Sequence, residues 1–329
     1  MKKSLATIGV LAAAALALAG CTDSAADTQS TPTSTGDAGS GEVTTVRVAA
    51  LPIAETGALW AAIDEGIFEK HGLEIEVVPA QGGANAIPAL LSGDIHFAIG
   101  QPFGPIRADQ QNLGVTIIGD YANSLAEGTD VNAVVALADS GITRPADLAG
   151  KKVSVNTVGA AGDLTIRKAV QDDGGDPSAI EFVEVAFPDV PAQLEAGTMD
   201  AAWAPDPFRA MIVGKGGTSV VQPYQATIPG LSVLTNITTQ KLIDEDPDLV
   251  KAYSEAMSEA LEWAAGNEDA VRAAIATNLK IPAEAAAGIT LPTFTWDLAD
   301  AGIEDLGALA VEFAYIDAEP DYDKLIQQQ

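Results

Sequence analysis

The sequence predicts an α/β fold with mainly parallel sheets. From residue 46 onward, short runs rich in Val, Ile and Ala alternate with runs whose apolar residues recur at helical spacing, which is typical of consecutive βα units. Hydrophobic residues make up 47% of the 329-residue chain. That content and length suit one large domain or two modest ones.

A first series of βα units begins at Val46. Leu59, Ile63 and Ile67 are spaced by four residues, which is typical of one face of a helix. The predicted strands of this series are Val46–Leu51, Leu73–Pro79, Ile95–Gly100, Val115–Tyr121 and Asn132–Leu137. The predicted helices are Thr56–Lys70, Ala84–Leu91 and Gly104–Asn112.

A second series starts afresh at Lys151. Its predicted strands are Lys151–Asn156, Glu181–Ala186, Met199–Trp203 and Ser219–Gln222, and its predicted helices are Ala161–Asp172, Val190–Ala196 and Pro207–Val213. One more strand, Leu231–Ile237, precedes a tail with the predicted helices Thr239–Ala265, Glu268–Asn278, Pro282–Ile289 and Trp296–Phe313. Because this tail contains no further strands, we expect it to pack back on the first series.

Residues 1–20 have the pattern of a signal peptide. Lys2 and Lys3 precede the apolar stretch Ile8–Ala19, whose 12 residues are too few for a membrane-spanning helix of about 20. Cys21 is the only cysteine of the chain, and a free thiol is a liability in an oxidising compartment. The small residues before Cys21 resemble the lipobox of bacterial lipoproteins, which implies a diacylglycerol on its sulfur. The alternative is an ordinary signal peptide followed by a chance cysteine.

Residues 21–43 predict a flexible linker. The run 22–42 contains Ser, Thr and Gly but no Leu, Ile, Val or aromatic residue, so it cannot contribute to a core. We therefore expect a domain tethered by lipid on the extracytoplasmic side of the cell membrane, at the cell surface or the periplasmic face.

Charge and cysteine usage exclude several classes of partner. Removal of residues 1–20 changes the net charge from −29 to −31, which repels nucleic acid. Without a cysteine after Cys21 there is no disulfide and no thiolate metal site, and His71 and His96 are too few for a His-rich one. We expect no metal and no cofactor.

Four segments in succession resemble one family of proteins. They are EGIFEKHGL and GDIHFA within residues 46–100, ITRPADLAGKKVSVNTVGAAG at 142–162, FPDVPAQLEAGTMDAAWAPDPF at 187–208, and SVLTNITTQKLIDEDPDLVKAYSEAMSEAL at 232–261. Their order and spacing resemble the type II periplasmic-binding-protein fold, in its nitrate/sulfonate/taurine and thiamine-pyrimidine-precursor branch.

The resemblance implies two lobes with two mixed sheets flanked by helices, joined by a two-crossing hinge. Lobe I would comprise 44–138 plus 232–329, and lobe II 139–231, with crossings near Ala136–Ile142 and Gln222–Leu231. A small molecule would bind in the cleft of a monomer, and an ABC permease in the membrane would read the closure of the lobes.

Open α/β sheets bind ligands beyond the carboxyl ends of their strands, where strand order reverses. That rule selects the loops after the predicted strands, several of which lead into helix N-termini that favour polar ligand groups. The candidate ligand-binding residues are Glu55, Thr56, Gln81, Gly82, Gly83, Asn85, Gln101, Phe103, Thr157, Gly159, Asp163, Asp189, Trp203, Asp206 and Asn236.

Several of these residues have a structural alternative. Phe103 and Trp203, together with Phe187, could stack on a flat ligand or pack in the core. The three aspartates could be pocket acids or helix N-caps, the more common use of Asp at such positions. Gly82 and Gly83 could allow a close approach to a ligand or form an ordinary turn.

The selected loops contain no Arg or Lys, although anion-binding sites usually do. This favours a neutral or cationic ligand with a planar part. Arg107, Arg167 and Arg209 lie within the helices that follow and could reach inward, so an anion receptor of the sulfonate or nitrate type is the alternative.

We do not expect an enzyme. Members of this fold that catalyse pyrimidine synthesis or desulfination use a cysteine in the site, and this chain has none there. A Ser–His pair would need His71 or His96, and neither lies in a cleft loop. A ligand-sensing lipoprotein without a transport partner would use the same cleft.

Overall fold

The computed structural model describes residues 43–299 and 301–327. The predicted signal peptide, Cys21 and residues 22–42 of the linker lie outside the described residues. In the part that is described, no helix is both long and apolar enough to cross a membrane.

Strands and helices alternate along the described chain. The strands are β1 Thr44–Ala50, β2 Leu73–Pro79, β3 Phe97–Gly100, β4 Val115–Asn123, β5 Asn132–Ala136, β6 Lys152–Val155, β7 Glu181–Glu184, β8 Ala201–Pro205, β9 Thr218–Val221, β10 Ser232–Thr239 and β11 Thr293–Phe294. The helices are α1 Gly57–Asp64, α2 Ile67–Lys70, α3 Gly83–Ser92, α4 Phe103–Asp109, α5 Ala161–Asp172, α6 Val190–Glu195, α7 Phe208–Gly214, α8 Pro223–Thr227, α9 Gln240–Glu245, α10 Pro247–Gly266, α11 Glu268–Leu279, α12 Ala283–Ala287, α13 Ile303–Glu312 and α14 Tyr322–Leu325. Short 3₁₀ turns occupy Ala54–Thr56, Pro145–Leu148, Pro177–Ala179 and Phe187–Asp189.

The first sheet has six strands in the order β11-β4-β10-β3-β1-β2. β1 is parallel to β2 and β3, whereas β10 is antiparallel to both β3 and β4. The sheet is therefore mixed, because β10 reaches it from the second series in the opposite direction.

The second sheet has five strands in the order β7-β6-β8-β5-β9. β6 is parallel to β7 and β8, and β5 is antiparallel to β8 and β9. Both sheets are flanked by helices and both are mixed, as the resemblance implied.

The position of β5 corrects one predicted boundary. The prediction assigned residues up to 138 to lobe I, but Asn132–Ala136 pairs with β8 and β9 of the second sheet. The chain therefore crosses between the sheets after β4, and the predicted first crossing near Ala136–Ile142 is wrong. It returns between β9 and β10, over the residues Gln222–Leu231. Every residue of β5 is buried, so its apolar sequence fits a central strand of either sheet and does not reveal which one it joins.

The tail packs on the first sheet and on α1. The prediction that it contains only helices is wrong, because the two-residue strand β11 pairs antiparallel with β4 at the edge of the first sheet. α10 buries Val250, Tyr253, Met257 and Leu261, a spacing of three to four residues that produces one apolar face. The Tyr253 ring stacks on Phe97 of β3 with centroids 3.7 Å apart.

Two predicted tail helices have different bounds in the structure. The predicted helix Thr239–Ala265 is divided into α9 and α10, since Pro247 begins a new helix and the Asp246 side chain accepts a hydrogen bond from Leu249 N at its start. The predicted helix Trp296–Phe313 begins only at Ile303, after Gly302 with φ 66°.

Hydrogen bonds connect the two crossings to each other. Ser124 N donates to Leu231 O at 2.9 Å, and Gln225 Nε2 donates to Leu125 O at 2.8 Å. At the end of the first sheet, Ser232 Oγ donates to Asp120 Oδ1 at 2.7 Å. Burial raises the pKa of Asp120 to about 7, although the hydrogen bond from Ser232 opposes that rise.

We expect the buried Asp120 carboxyl to make the protein less stable as pH rises. The unfolded chain loses this proton near pH 4, whereas the folded protein holds it until about pH 7. The free energy of unfolding should therefore fall through that window, by on the order of 3 kcal/mol relative to Asp120→Asn, which cannot ionise. Urea unfolding of both proteins from pH 4 to pH 8 measures this difference. Parallel pH profiles for the two proteins would contradict the assignment.

Candidate ligand-binding site

A narrow cavity of about 20 Å³ lies between the two sheets. Small-molecule sites commonly have volumes of about 300–1,000 Å³, so this cavity would have to widen to admit a solute. Its lining residues come from both sheets: Leu51, Ile53, Glu55, Gly82, Gly83, Gln101, Asn132, Asn156, Phe187, Trp203, Pro205, Tyr224, Val233 and Leu234.

Aromatic side chains form one wall of the cavity. The Trp203 ring makes T-shaped contacts with Phe187, with centroids 5.6 Å apart, and with Tyr224, with centroids 5.5 Å apart. Trp203 Nε1 donates a hydrogen bond to Asn132 Oδ1 at 2.8 Å. At Gly162 in α5, a Cβ atom would lie 2.6 Å from the Trp203 ring. The indole is thus held in one orientation, and Trp203 serves both as core and as cavity wall.

Glu55 places a carboxyl group in this cavity. It lies in the 3₁₀ turn after β1, its side chain is 3% exposed, and Oε2 has no hydrogen-bond partner among the described residues. Burial raises the pKa of Glu55 well above its usual range, and the nearby carboxylates of Asp206 and Asp130 raise it further. A neutral carboxylic acid can both donate and accept a hydrogen bond.

Two further lining residues carry buried polar atoms without a partner among the described residues. They are Asn156 Oδ1 and Tyr224 Oη. Asn156 is oriented by its other amide atom, because Nδ2 donates to Gln81 O at 2.9 Å. Buried polar atoms are normally hydrogen-bonded, so these groups and Glu55 offer a ligand three places for hydrogen bonds.

Among the residues that the structure describes, no Arg or Lys lines the cavity. A buried cation, Arg209, lies close enough to Glu55 to lower its pKa, but it is already paired. Arg209 Nη2 lies 2.6 Å from Asp206 Oδ2 and its Nε lies 3.1 Å from Oδ1, and Nη1 donates to the backbone oxygen of Asp130. Within residues 43–299 and 301–327, no group of three His, Cys, Asp or Glu residues is arranged to hold a metal ion.

Five of the predicted ligand-binding residues line this cavity: Glu55, Gly82, Gly83, Gln101 and Trp203. Glu55 follows β1, Gly82 precedes α3 and Gly83 begins it. Gln101 follows β3, and Trp203 lies within β8. The structure thus brings together residues that are up to 148 positions apart in the sequence.

Other predicted residues support the neighbouring structure instead. Thr56 Oγ1 donates to Leu51 O at 2.8 Å. Asn236 Nδ2 donates to Asp120 O at 2.7 Å. Phe103 is buried edge-on to Tyr315 with centroids 6.0 Å apart.

The three aspartates all lie outside the cavity lining. Asp163 accepts hydrogen bonds from Gly159 N and Ala160 N at 3.0 and 2.8 Å, so it organises the start of α5. Asp206 pairs with Arg209, and Asp189 is exposed.

The remaining predicted residues lie around the cavity. The side chains of Gln81 and Asn85 are exposed, and Thr157 is half-buried. Gly159 adopts φ +75°, and its oxygen accepts a hydrogen bond from Arg107 Nη1 at 2.9 Å.

Sequence reasoning missed several lining residues for one geometrical reason. The carboxyl ends of the parallel strands face the cavity, but β5 and β10 are antiparallel to them and present their amino ends. Asn132 begins β5, and Val233 and Leu234 lie at the start of β10. A rule based on the carboxyl ends of strands does not select these three residues. The same rule could have selected Asn156, which ends a predicted strand.

Hydrogen bonds join the two sides of the cavity at its margins. Ala54 N donates to Asp206 O at 3.1 Å. Beyond the end of α13, Tyr315 Oη donates to Asp163 Oδ2 at 2.8 Å and accepts from Arg167 Nε at 2.9 Å. These bonds lie outside the cavity itself.

Residues 54–271 match the family model described as NMT1/THI5 like. The chain belongs to the NMT1/THI5-like family. This confirms the family that the four sequence segments resemble.

Two curated relatives of this NMT1/THI5-like chain have named ligands. The formylaminopyrimidine-binding protein of Halalkalibacterium halodurans is 24% identical over 223 residues, 67% of this chain and 66% of the relative. The nitrate/nitrite binding protein NrtA of Synechococcus elongatus is 27% identical over 294 residues, 80% of this chain and 66% of the relative. Each similarity therefore spans slightly less than two thirds of the relative's own length.

Solved structures confirm the periplasmic-binding-protein fold. The alkanesulfonate-binding protein SsuA from Xanthomonas axonopodis pv. citri, bound to MOPS, has a TM-score of 0.72 at 15% identity, covering 88% of this chain and 99% of that one. The desulfurization enzyme DszB has a TM-score of 0.64 at 18% identity, covering 87% and 97%. The fold is thus shared by binding proteins and an enzyme.

We expect the hydroxyl of Tyr315 to stabilise the protein. Tyr315→Phe would remove two hydrogen bonds with partly buried charged groups, at a cost of about 1–3 kcal/mol in the free energy of unfolding. Tyr322→Phe is the matched control, since that hydroxyl donates only at 3.3 and 3.4 Å near the surface. Urea unfolding compares the two variants, and equal losses would contradict this role for Tyr315.

Proposed function

We propose that this chain is an extracytoplasmic solute-binding lipoprotein that captures a small molecule between two lobes and delivers it to an ABC importer. The observation that carries this proposal is the cavity between the sheets, with its aromatic wall and three unpartnered polar groups. An enclosed apolar pocket with a few convergent polar atoms is the usual form of a small-molecule site.

The family supports this class of function. The relatives named above bind formylaminopyrimidine and nitrate or nitrite, and SsuA binds alkanesulfonates, according to their names. What these proteins share is the binding of a small solute, and we extend that to this chain.

The mechanism we propose is closure of the lobes around the ligand. One lobe would be built on the first sheet and the other on the second, with the crossings after β4 and β9 as the hinge. The hydrogen bonds from Ala54, Asn156 and Tyr315 at the margins of the cavity would form as the lobes close, and a permease would read the closed state.

The lining supports a neutral or cationic ligand with a planar part. The Trp203 indole offers a flat apolar surface, while Asn156 Oδ1 and the Glu55 carboxyl would accept hydrogen bonds from ligand N–H groups. An anion is the alternative that the nitrate and sulfonate relatives favour. It would enter a cavity that contains a carboxyl and no cationic side chain, so we prefer the first class.

The cellular context of the proposal rests on residues 1–43. A diacylglycerol on Cys21 and the Ser/Thr/Gly-rich run after it would anchor the domain to the membrane while leaving it free to reach a permease. We propose no catalytic activity, because the chain has no cysteine beyond Cys21 and neither His71 nor His96 lines the cavity.

We expect Trp203 to contribute to ligand affinity. A thermal-shift screen of pyrimidines, other heterocycles, polyamines, sulfonates, nitrate and amino acids would first identify a solute, because ligand at ~100-fold over Kd adds about 2.7 kcal/mol. Trp203→Ala should then weaken binding of that solute at least tenfold in calorimetry, since it removes the cavity wall.

Trp263→Ala on α10 is the control for this experiment. Trp263 is partly buried against the core but does not line the cavity. It should lower stability and leave affinity unchanged. Equal affinities for the wild type and Trp203→Ala would show that the solute binds elsewhere.

We expect Cys21 to carry the lipid anchor. In cells fed a labelled fatty acid, the wild-type chain should incorporate label and sediment with membranes, and Cys21→Ser should do neither. Ser24→Ala is the control and should behave like the wild type. Label retained in Cys21→Ser would exclude the anchor at this residue.

A further inference from the structure

Glu55 is a buried acid whose charge has no counter-cation. Its carboxyl lines the cavity, and Oε2 has no partner among the described residues. An ionised carboxylate in such a place is strongly unfavourable unless it is paired.

The charged groups around Glu55 do not supply that pairing. Asp206, after β8, and Asp130, before β5, both disfavour its ionisation. Arg209 of α7 favours it, but its guanidinium already forms a bidentate pair with Asp206. The carboxyl groups of Glu55, Asp206 and Asp130 therefore lie near a single guanidinium, which is paired with Asp206.

The remaining groups near Glu55 are neutral phenols. The charge of Glu55 raises the pKa of Tyr121 in β4 and of Tyr224 in α8, in addition to the larger effect of burial. The Tyr121 hydroxyl is occupied, since it donates to Thr56 O at 3.1 Å and accepts from Leu59 N at 2.9 Å. Tyr224 can offer a hydrogen bond but no charge, so an ionised Glu55 needs a positive charge from outside the protein.

We infer that Glu55 is the specificity-determining residue of this cavity and selects a planar ligand bearing a cationic N–H group. The inference rests on the proposed function. In the empty cavity the carboxyl keeps its proton. When the cation enters, the O–H bond of Glu55 breaks, the proton passes to the buffer, and the carboxylate pairs with the ligand. The charge inside the cavity is the same before and after this exchange.

Other lining groups suit the same ligand. The face of an indole attracts cations within about 6 Å, and Trp203 forms the aromatic wall. Asn156 Oδ1 is an unpartnered acceptor that can take a further N–H group. An amidinium on a flat ring combines these features, because it presents two N–H groups in the plane of its charge.

Benzamidine, benzamide and benzoate test this inference, since they share one flat ring and carry charges of +1, 0 and −1. Binding to the purified chain would be measured by calorimetry at pH 6 in buffers of low and high ionisation enthalpy. We expect benzamidine to bind at least tenfold more tightly than benzamide, with benzoate weakest. Because burial raises the pKa of Glu55, protons should be released as benzamidine binds.

Glu55→Gln supplies the decisive comparison, because it keeps the shape of the side chain and removes its charge. This variant should lose the preference for benzamidine over benzamide and release no proton. Glu65→Gln changes an exposed acid and should behave like the wild type. Thermal unfolding of both variants shows that they are folded.

Several results would overturn the inference: equal or tighter binding of benzoate, an unchanged preference in Glu55→Gln, no proton release, or no binding of any of the three compounds. A different result would contradict the receptor proposal. An anionic or neutral solute found in the broad thermal-shift screen would leave the receptor proposal standing and contradict only the role of Glu55. A screen without any hit would count against the receptor itself.

Discussion

The structure depends on a chain that crosses twice between two sheets. Because of the crossings, β5 and β10 enter their sheets antiparallel to their neighbours. The amino ends of these strands therefore meet the carboxyl ends of β1, β3, β6 and β8 along one boundary, and the cavity lies at that boundary. Residues from both series of βα units can contribute to a single site only because of this arrangement.

Buried charge sets the chemical character of the site. Asp206 and Arg209 neutralise each other beneath the cavity, and Arg209 also donates to the backbone of Asp130. This network stabilises the junction of the second sheet with the first crossing, but it leaves Glu55 without a cation. The contacts that hold the fold together thus occupy the buried guanidinium nearest to Glu55.

The family model places the chain in its family, and the relatives do not select a ligand. A formylaminopyrimidine and nitrate differ in size, shape and charge, and the proteins named for them are similarly related to this chain, at 24% and 27% identity. At such distances the fold persists while the side chains of the cleft change. The ligand class must therefore be argued from this chain's own lining residues, as specificity resides in sites rather than in folds.

Part of the cavity lining could be predicted from the sequence. Glu55, Gly82, Gly83 and Gln101 follow parallel strands, and apolar runs located those strands. Trp203 was predicted at the end of a strand but lies in the middle of β8. Asp163 and Asp206 occupy similar positions in the sequence, yet one organises the start of α5 and the other neutralises Arg209. Local sequence cannot distinguish a capping acid from a pocket acid, since both follow a strand and precede a helix.

The α/β class, the two series of βα units, the helices of the tail and the family resemblance could all be predicted from the sequence, because they depend on local periodicity and on short motifs in a fixed order. The edge strand β11 could not, since its two residues are too few to show a period. Only the tertiary structure decided that β5 joins the second sheet, that Asn132 and Leu234 line the cavity, and that Glu55 rather than any of the three aspartates is the acid there. Strand direction and charge pairing are set by contacts between residues far apart in the chain. Local sequence patterns therefore do not predict strand direction or charge pairing.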